Sequence, residues 1–266
     1  MKYIPATLAK RLGREIVIHY LKRADEIIVP TQRIADVVKK YGIKKEVDIL
    51  PTGIPKSVYT IDSNRFSEFN KYFENRYPII KNKKILLYVG RIAKEKNLNF
   101  LIRLFEKIQI NNPDTILMFV GGGPDFNNIK DLASRNKYSE KIIFTGYCDR
   151  EELPYYYHKA HLFVFPSVTE TQGLVTIEAM RCGTPVVAIG EMGTYDVMQG
   201  NNGGFMVKND IDVFAEKVEI LINNKELYKE KSEEAREWSR KWSIKTLTPK
   251  LISYYEKSKI NIKNRK

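Results

Sequence analysis

Short apolar runs rich in β-branched and aromatic residues recur through the middle of the chain, at Ile85–Gly90, Thr115–Gly121, Lys141–Gly146, His161–Pro166 and Pro185–Ile189. Each is bounded by Gly or Pro, the pattern of strands buried on both faces of a parallel sheet. Between them the period changes from strand to helix. In Asn97–Ile110, residues Leu98, Leu101, Ile102, Phe105 and Ile108 recur at helical spacing, and Pro113 follows the stop. Asp149 is placed to cap a helix through Glu152 to His158, and Gln172–Arg181 reads as a further helix ended by Gly183. This βαβαβ order predicts an α/β fold with a Rossmann-like, doubly wound parallel sheet.

The first sixty residues read differently. Leu8–Ala24 is a basic amphipathic helix, Asp25–Pro30 a strand, Thr31–Tyr41 a Thr-capped helix ended by Gly42, and Val47–Leu50 a second strand. These are the closing elements of a second α/β unit. The division expected is therefore 1–59 for that remnant, 60–84 for a polar connection, and 85–243 for the full domain. Residues 244–266 would form a helix returning to the first lobe. With so few strands in the small unit, Val29 and Ile49 are expected on unpaired edges. That predicts poor solubility or homo-oligomerisation unless a separate N-terminal domain supplies neighbours.

Charge sharpens this division. The formal net charge is +13, and residues 1–60 hold 12 Lys/Arg against 6 Asp/Glu. Residues 243–266 hold 7 against 1, so the long middle is close to neutral. Basic ends suit an anionic surface, although a lysine-rich composition alone would look the same. No recognised nucleic-acid motif accompanies them, and they lie away from the sheet edge where the glycine turns gather, so no nucleic-acid partner is expected. No apolar run approaches the roughly 20 residues of a membrane span, and Met1–Pro5 has no signal-like apolar region. Cys148 and Cys182 have neither metal nor redox spacing and read as small buried residues in a reducing cytoplasm.

Three turns carry the chemistry. The first is Glu170-Thr171-Gln172-Gly173-Leu174-Val175-Thr176-Ile177-Glu178, with two glutamates eight apart across a glycine turn and a helix start. The N–H groups of Thr171, Gln172, Gly173 and Leu174 would there face a diphosphate at the positive end of the helix. Glu170 could accept sugar hydroxyls and Glu178 a ribose, although a helix cap and a solvated surface carboxylate would have the same spelling. The second is Gly90-Arg91-Ile92-Ala93-Lys94-Glu95-Lys96-Asn97, whose Arg91 and Lys96 could grip phosphate oxygens. The third is Gly121-Gly122-Gly123-Pro124, where missing side chains allow close backbone approach. It is neither a dinucleotide fingerprint nor a phosphate loop of the Gly-Lys-Ser/Thr kind.

In this order, with Pro51-Thr52-Gly53-Ile54, Gly146-Tyr147 and Gly183-Thr184-Pro185-Val186-Val187, the turns resemble those of family-4 retaining glycosyltransferases of GT-B fold. Thr169-Glu170-Thr171-Gln172-Gly173-Leu174-Val175, with Ile4-Pro5, is similar to the wording of diacylglycerol glucosyltransferases. The resemblance implies a UDP-sugar donor, glucose above all, and a lipid acceptor, with a cell-wall or capsule glycan or a non-catalytic donor-binding half as alternatives. It implies Arg91, Lys96 and Glu170 as catalytic residues. Gly90, Gly122, Gly123, Tyr147, Thr171, Gln172, Gly173, Leu174 and Glu178 would bind the donor. No cofactor or metal is expected, and no enzymic nucleophile, since the acceptor hydroxyl would enter on the face the phosphate leaves. The same resemblance places the protein in the cytoplasm, at the inner face of the cell membrane, with its basic lobe on anionic lipid. Three features depart from the pattern. The histidine beside the sugar has no counterpart among His19, His158 and His161, Asn97 replaces a glycine, and Asp196 stands where a glutamate is common.

Overall fold

The computed structural model describes residues 6–263, so Ile4-Pro5 and residues 264–266 of the expected last helix lie outside the described residues. A small lobe comes first, built from α1 (Ala6–Arg23), β1 (Ile27–Val29), α2 (Gln32–Lys40) and β2 (Val47–Ile49). The strands β1 and β2 pair in parallel, and Ile27, Val29, Ala35, Val38 and Ile43 form a core of their own. Val29 is thus buried on a paired strand, and the Ile49 carbonyl accepts hydrogen bonds from Lys250 and Tyr254.

The large domain follows as α3 (Ser63–Arg76), β3 (Lys84–Val89), α4 (Leu98–Asn111), β4 (Thr115–Val120), α5 (Phe126–Ser134), β5 (Ile142–Gly146), α6 (Leu153–Lys159) and β6 (Leu162–Phe165). It continues with α7 (Leu174–Arg181), β7 (Val186–Ile189), α8 (Met192–Met198), β8 (Gly204–Val207), α9 (Ile211–Asn223) and α10 (Lys225–Trp238). Six parallel strands are ordered β5-β4-β3-β6-β7-β8. The chain therefore winds outward in both directions from the β3–β6 pair. In such sheets the crevice at the carboxyl end of that central pair is where ligands bind. Beyond α10, α11 (Ile244–Lys263) runs back to the small lobe, where Lys257 pairs with Glu46 at 2.9 Å.

Four elements differ from the sequence reading. The segment 60–84 is not merely a polar connection, because it contains α3, capped by Asp62 accepting from the Arg65 N–H at 2.9 Å. Phe69 and Phe73, four apart on one face, are buried against Tyr155 and Tyr156 of α6, with ring centroids 5.1–5.4 Å apart. Two aromatic anchors suffice to dock an otherwise polar helix. Asp149 does not cap α6 through its side chain; its backbone carbonyl accepts from Glu152 N at 2.9 Å, one turn earlier. The helix read as starting at Gln172 starts at Leu174, because Gly173 takes φ +72 and breaks the helical path. Finally, β8 adds an edge strand, only four residues long with its two middle residues half-buried, at Gly204–Val207.

Candidate functional site

At the carboxyl edge of the sheet, the turns after β3, β4 and β5 are laced together by backbone. The Gly121 N–H donates to Gly146 O at 2.8 Å, Ile92 N to Gly122 O at 2.9 Å, and Asp125 N to Ile92 O at 3.1 Å. This lacing explains the three glycines. A Cβ on Gly121 would lie 2.1 Å from Gly90 O and one on Gly123 2.3 Å from Ile92 O. A Cβ on Gly122 would lie 2.5 Å from the Tyr147 ring, which covers it and is otherwise exposed. The glycines at 121 and 123 thus serve close packing between loops.

The β3–α4 and β6–α7 turns are tied to each other across the central strand pair. Lys96 Nζ donates to Glu170 Oε1 at 2.5 Å, with both side chains less than one fifth exposed. Ser167 Oγ donates to the same oxygen at 3.1 Å. Asn97 takes φ +56 at the start of α4, and its amide donates to Pro166 O at 3.3 Å. An asparagine tolerates that left-handed backbone where a glycine would otherwise serve. Arg91 lies nearer the surface, ion-paired with Glu95. Behind it the buried Tyr88 hydroxyl donates to Arg91 O at 3.0 Å. Burial first, and then the charges of Glu170 and Glu95, push the phenol far above its ordinary value, so it stays neutral.

Between these turns lies a pocket of about 310 Å³, closed on one side by Pro30 and Thr52 of the small lobe. Its lining takes in Gly90, Arg91, Lys96, Glu170, Thr171, Gln172, Gly173 and Leu174. The sequence-named residues Gly122, Gly123, Tyr147 and Glu178 stand outside that lining. The Leu174 and Val175 N–H groups open α7 and have no partner within the helix, as at any helix start. Thr176 and Thr194 hydroxyls flank Gly173, at 3.7 and 3.4 Å from where its Cβ would be. Both are fully buried, and neither finds a hydrogen-bond partner among the described residues. Buried hydroxyls without partners are uncommon. With the helix-start N–H groups and two cations lining the same pocket, this corner has the chemistry that can receive an anion.

Glu178 is buried one turn into α7, and Tyr157 OH donates to its Oε2 at 2.9 Å. Burial raises the carboxyl above its usual range, while the Tyr157 hydrogen bond and the Arg150 charge work against that rise. The Gln172 side chain reaches across to the small-lobe wall of the pocket, where it pairs with the Thr52 backbone. Asp196 accepts from the Arg33 N–H at 3.1 Å, at the first turn of α2. His158 packs beside Phe66, and His161 stacks on Tyr228, and neither is part of the pocket lining. Tyr88, Thr176, Thr194 and the small-lobe wall were not legible in sequence. Tyr88 and Thr176 read as core positions of a strand and a helix, and Thr194 sits in a short helix with no motif. Among the described residues, no group of three His, Cys, Asp or Glu is placed to hold a metal ion.

Comparison with known proteins adds to this geometry. The sequence model of the glycosyl transferases group 1 family matches residues 70–238. An alpha-monoglucosyldiacylglycerol synthase of Acholeplasma laidlawii is 32% identical over 213 residues, covering 76% of this chain and 51% of the synthase. A synthase of the same name from Streptococcus pneumoniae is 29% identical over 203 residues, covering 76% of this chain and 46% of that protein. The chain thus spans about half the length of these relatives. Among solved structures, HepE of Anabaena in complex with UDP and glucose superposes with a TM-score of 0.82 at 17% identity, covering 92% of this chain and 67% of HepE. That likeness shows the fold, the GT-B arrangement of two facing α/β lobes.

Proposed function

Since the chain belongs to the glycosyl transferases group 1 family, we propose that its pocket binds a UDP-hexose, UDP-glucose in the first instance, for transfer to a membrane lipid such as diacylglycerol. The observation that carries this reading is the corner at the start of α7, where Arg91 and Lys96 line the same pocket as Gly173 and the unpartnered buried hydroxyls of Thr176 and Thr194 flank that glycine. A diphosphate there would take Arg91 from Glu95, and Lys96 would be shared with Glu170. As the acceptor hydroxyl oxygen bonds to the sugar C1, the C1–phosphate bond breaks, UDP leaves with the electron pair, and the hydroxyl proton passes to the departing phosphate oxygen on the same face. Its growing charge is met by Arg91, Lys96 and the α7 N–H groups, with no metal required of the reaction. Glu170, held by Lys96 and Ser167, has a second carboxylate oxygen to accept sugar hydroxyls. Glu178 would hold the ribose, and the exposed ring of Tyr147 offers a stacking face to the base.

The lipid acceptor rests on the two synthases' names and on the small lobe's surface. On α1, Leu8, Leu12, Ile16 and Tyr20 recur every four residues and are exposed, with Arg11, Arg14, Lys22 and Arg23 on the same helix. No helix among the described residues is long and apolar enough to cross a membrane. An amphipathic basic helix instead lies in the headgroup layer, and this would hold the protein at the cytoplasmic face of an anionic membrane. The test is to incubate the protein with radiolabelled UDP-glucose and phosphatidylglycerol vesicles containing diacylglycerol. Label entering the lipid phase supports the assignment. Label that stays with the nucleotide, while lipid-free glycan acceptors are glucosylated, would move the acceptor to the glycan class.

A further inference from the structure

The donor loop 170–172 is held from two sides by two different lobes. On one side α8 backs it within the large domain. Gly193 N donates to Glu170 O at 2.8 Å, and a Cβ on Gly193 would lie 2.4 Å from Gln172 N, so only glycine permits that approach. On the other side the small lobe grips the next two residues. Thr31 Oγ1 donates to Thr171 O at 3.2 Å. Thr52 N donates to Gln172 Oε1 at 2.9 Å, and Gln172 Nε2 donates back to Thr52 O at 3.2 Å. The two lobes then meet once more beyond the loop, where Asp196 on α8 accepts from Arg33 N on α2, and the Arg33 guanidinium stacks on Tyr195 at 4.1 Å. The contacts close a ring: donor loop, α8, α2, and back to the donor loop.

Gln172 is the member of this ring with the most to lose. It is only 4% exposed, and its carboxamide satisfies both its oxygen and its nitrogen on the backbone of a single residue of the other lobe. A buried amide that lost this partner would leave both groups stranded. The loop conformation that presents Gly173 and the α7 N–H groups to the pocket therefore depends on the small lobe being docked.

We propose that Gln172 is a positioning residue: by pairing with the Thr52 backbone it couples docking of the small lobe to the geometry of the donor loop, so that each strengthens the other. This rests on the donor reading above for its functional consequence, but not for its structural one. Coupling of this kind is reciprocal. Bound UDP-glucose should slow the small lobe's opening, and whatever displaces the small lobe should weaken the donor.

The test compares wild type with Gln172→Leu, which keeps the volume and removes both hydrogen bonds, and with Thr31→Val, which removes the neighbouring one together with the α2 cap on the Ile34 N–H. Amide hydrogen exchange is read at 52–54 and at 171–175, with and without UDP-glucose, alongside UDP-glucose affinity by calorimetry. In the unliganded Gln172→Leu variant, exchange should quicken in both segments together, and UDP-glucose should bind roughly tenfold more weakly. In wild type, UDP-glucose should slow exchange at 52–54; in the variant this response should be lost. Thr31→Val should show the same pattern, smaller. Quickened exchange confined to 52–54, or unchanged UDP-glucose affinity in a Gln172→Leu protein whose two segments have loosened, would overturn the coupling. If neither protein binds UDP-glucose, the donor reading falls, while joint loosening of the two segments would still support the coupling and its absence would still refute it.

Discussion

Removing the Tyr157 hydroxyl with Tyr157→Phe isolates what holds the buried glutamate. Tyr157 is fully buried, its ring packs edge-on to Phe163 at 5.8 Å, and its hydroxyl has Glu178 Oε2 at 2.9 Å. Phenylalanine keeps the ring and its packing, so the change is confined to one donor. A hydrogen bond to a charged group contributes about 1.5–3 kcal/mol, and losing it leaves the carboxylate with Arg150 as its remaining favourable charge. At about 2 kcal/mol, and about 2–4 °C per kcal/mol for a chain near this size, Tm should fall by about 4–8 °C at pH 8. The sign with pH follows from linkage. Glu178 is already raised in the folded state by burial, so its ionised form costs stability as pH rises above the unfolded value of 4.5. Losing the donor raises it further. The deficit of the variant should therefore be largest at pH 8 and shrink towards pH 5, where the carboxyl can escape by taking up a proton. In a Glu178→Gln background, Tyr157→Phe should cost well under half as much. Urea denaturation at pH 5 and 8 of the four proteins of that cycle measures it. A deficit that is the same at both pH values, or additive double-variant losses, would show that the hydroxyl does not act through the Glu178 charge.

Other consequences are more local. Gly123→Ala forces a Cβ to within 2.3 Å of the Ile92 carbonyl at a φ of +156, so it should lower stability by about 2 kcal/mol or more. Gly13→Ala, in open space on α1, should instead be neutral or slightly stabilising, by up to about 1 kcal/mol; equal effects in thermal melts would refute the packing role. Burial, with Lys84 adding to it, lowers the His161 imidazole from 6.5 to about 4. Stability should accordingly be lost as pH falls from about 7 towards 4, by at most about 3 kcal/mol, because the unfolded chain takes up the proton first. His161→Phe should flatten that part of the pH profile, and an unchanged slope would count against it. Phe73→Ala should undock α3 from α6 at a cost of about 3–5 kcal/mol, and a loss below 1 kcal/mol in urea denaturation would mean that α3 adds little to the large domain.

Five of the six strands of the large sheet, and the turns at their carboxyl ends, were legible because buried parallel strands are continuous apolar runs punctuated by glycine. The strand β8 escaped, since four residues, of which only Gly204 and Val207 are buried, carry no such run. The helix α3 escaped because three phenylalanines and a tyrosine among ten polar or charged residues look like a linker until Tyr155 and Tyr156 are brought beneath them. At the site, the paired glutamates and the cations announce themselves by type and spacing. The division of labour does not. Sequence could not tell that Gln172 faces the other lobe, that Gly121 and Gly123 serve the packing of neighbouring turns, or that Thr176 and Thr194 bring unpaired hydroxyls to Gly173. Each of these depends on contacts between residues far apart in the chain, which no local pattern encodes.

The most direct test of the central claim, that the corner between Arg91, Lys96 and the start of α7 is a nucleotide-sugar diphosphate site, is calorimetric titration of the folded protein with UDP and UDP-glucose. Wild type should bind both, and Lys96→Ala and a Thr176→Val, Thr194→Val double variant should each bind at least tenfold more weakly while melting as cooperatively as wild type. Wild-type protein that melts cooperatively yet binds neither ligand, or folded variants that bind both as tightly as wild type, would contradict the account.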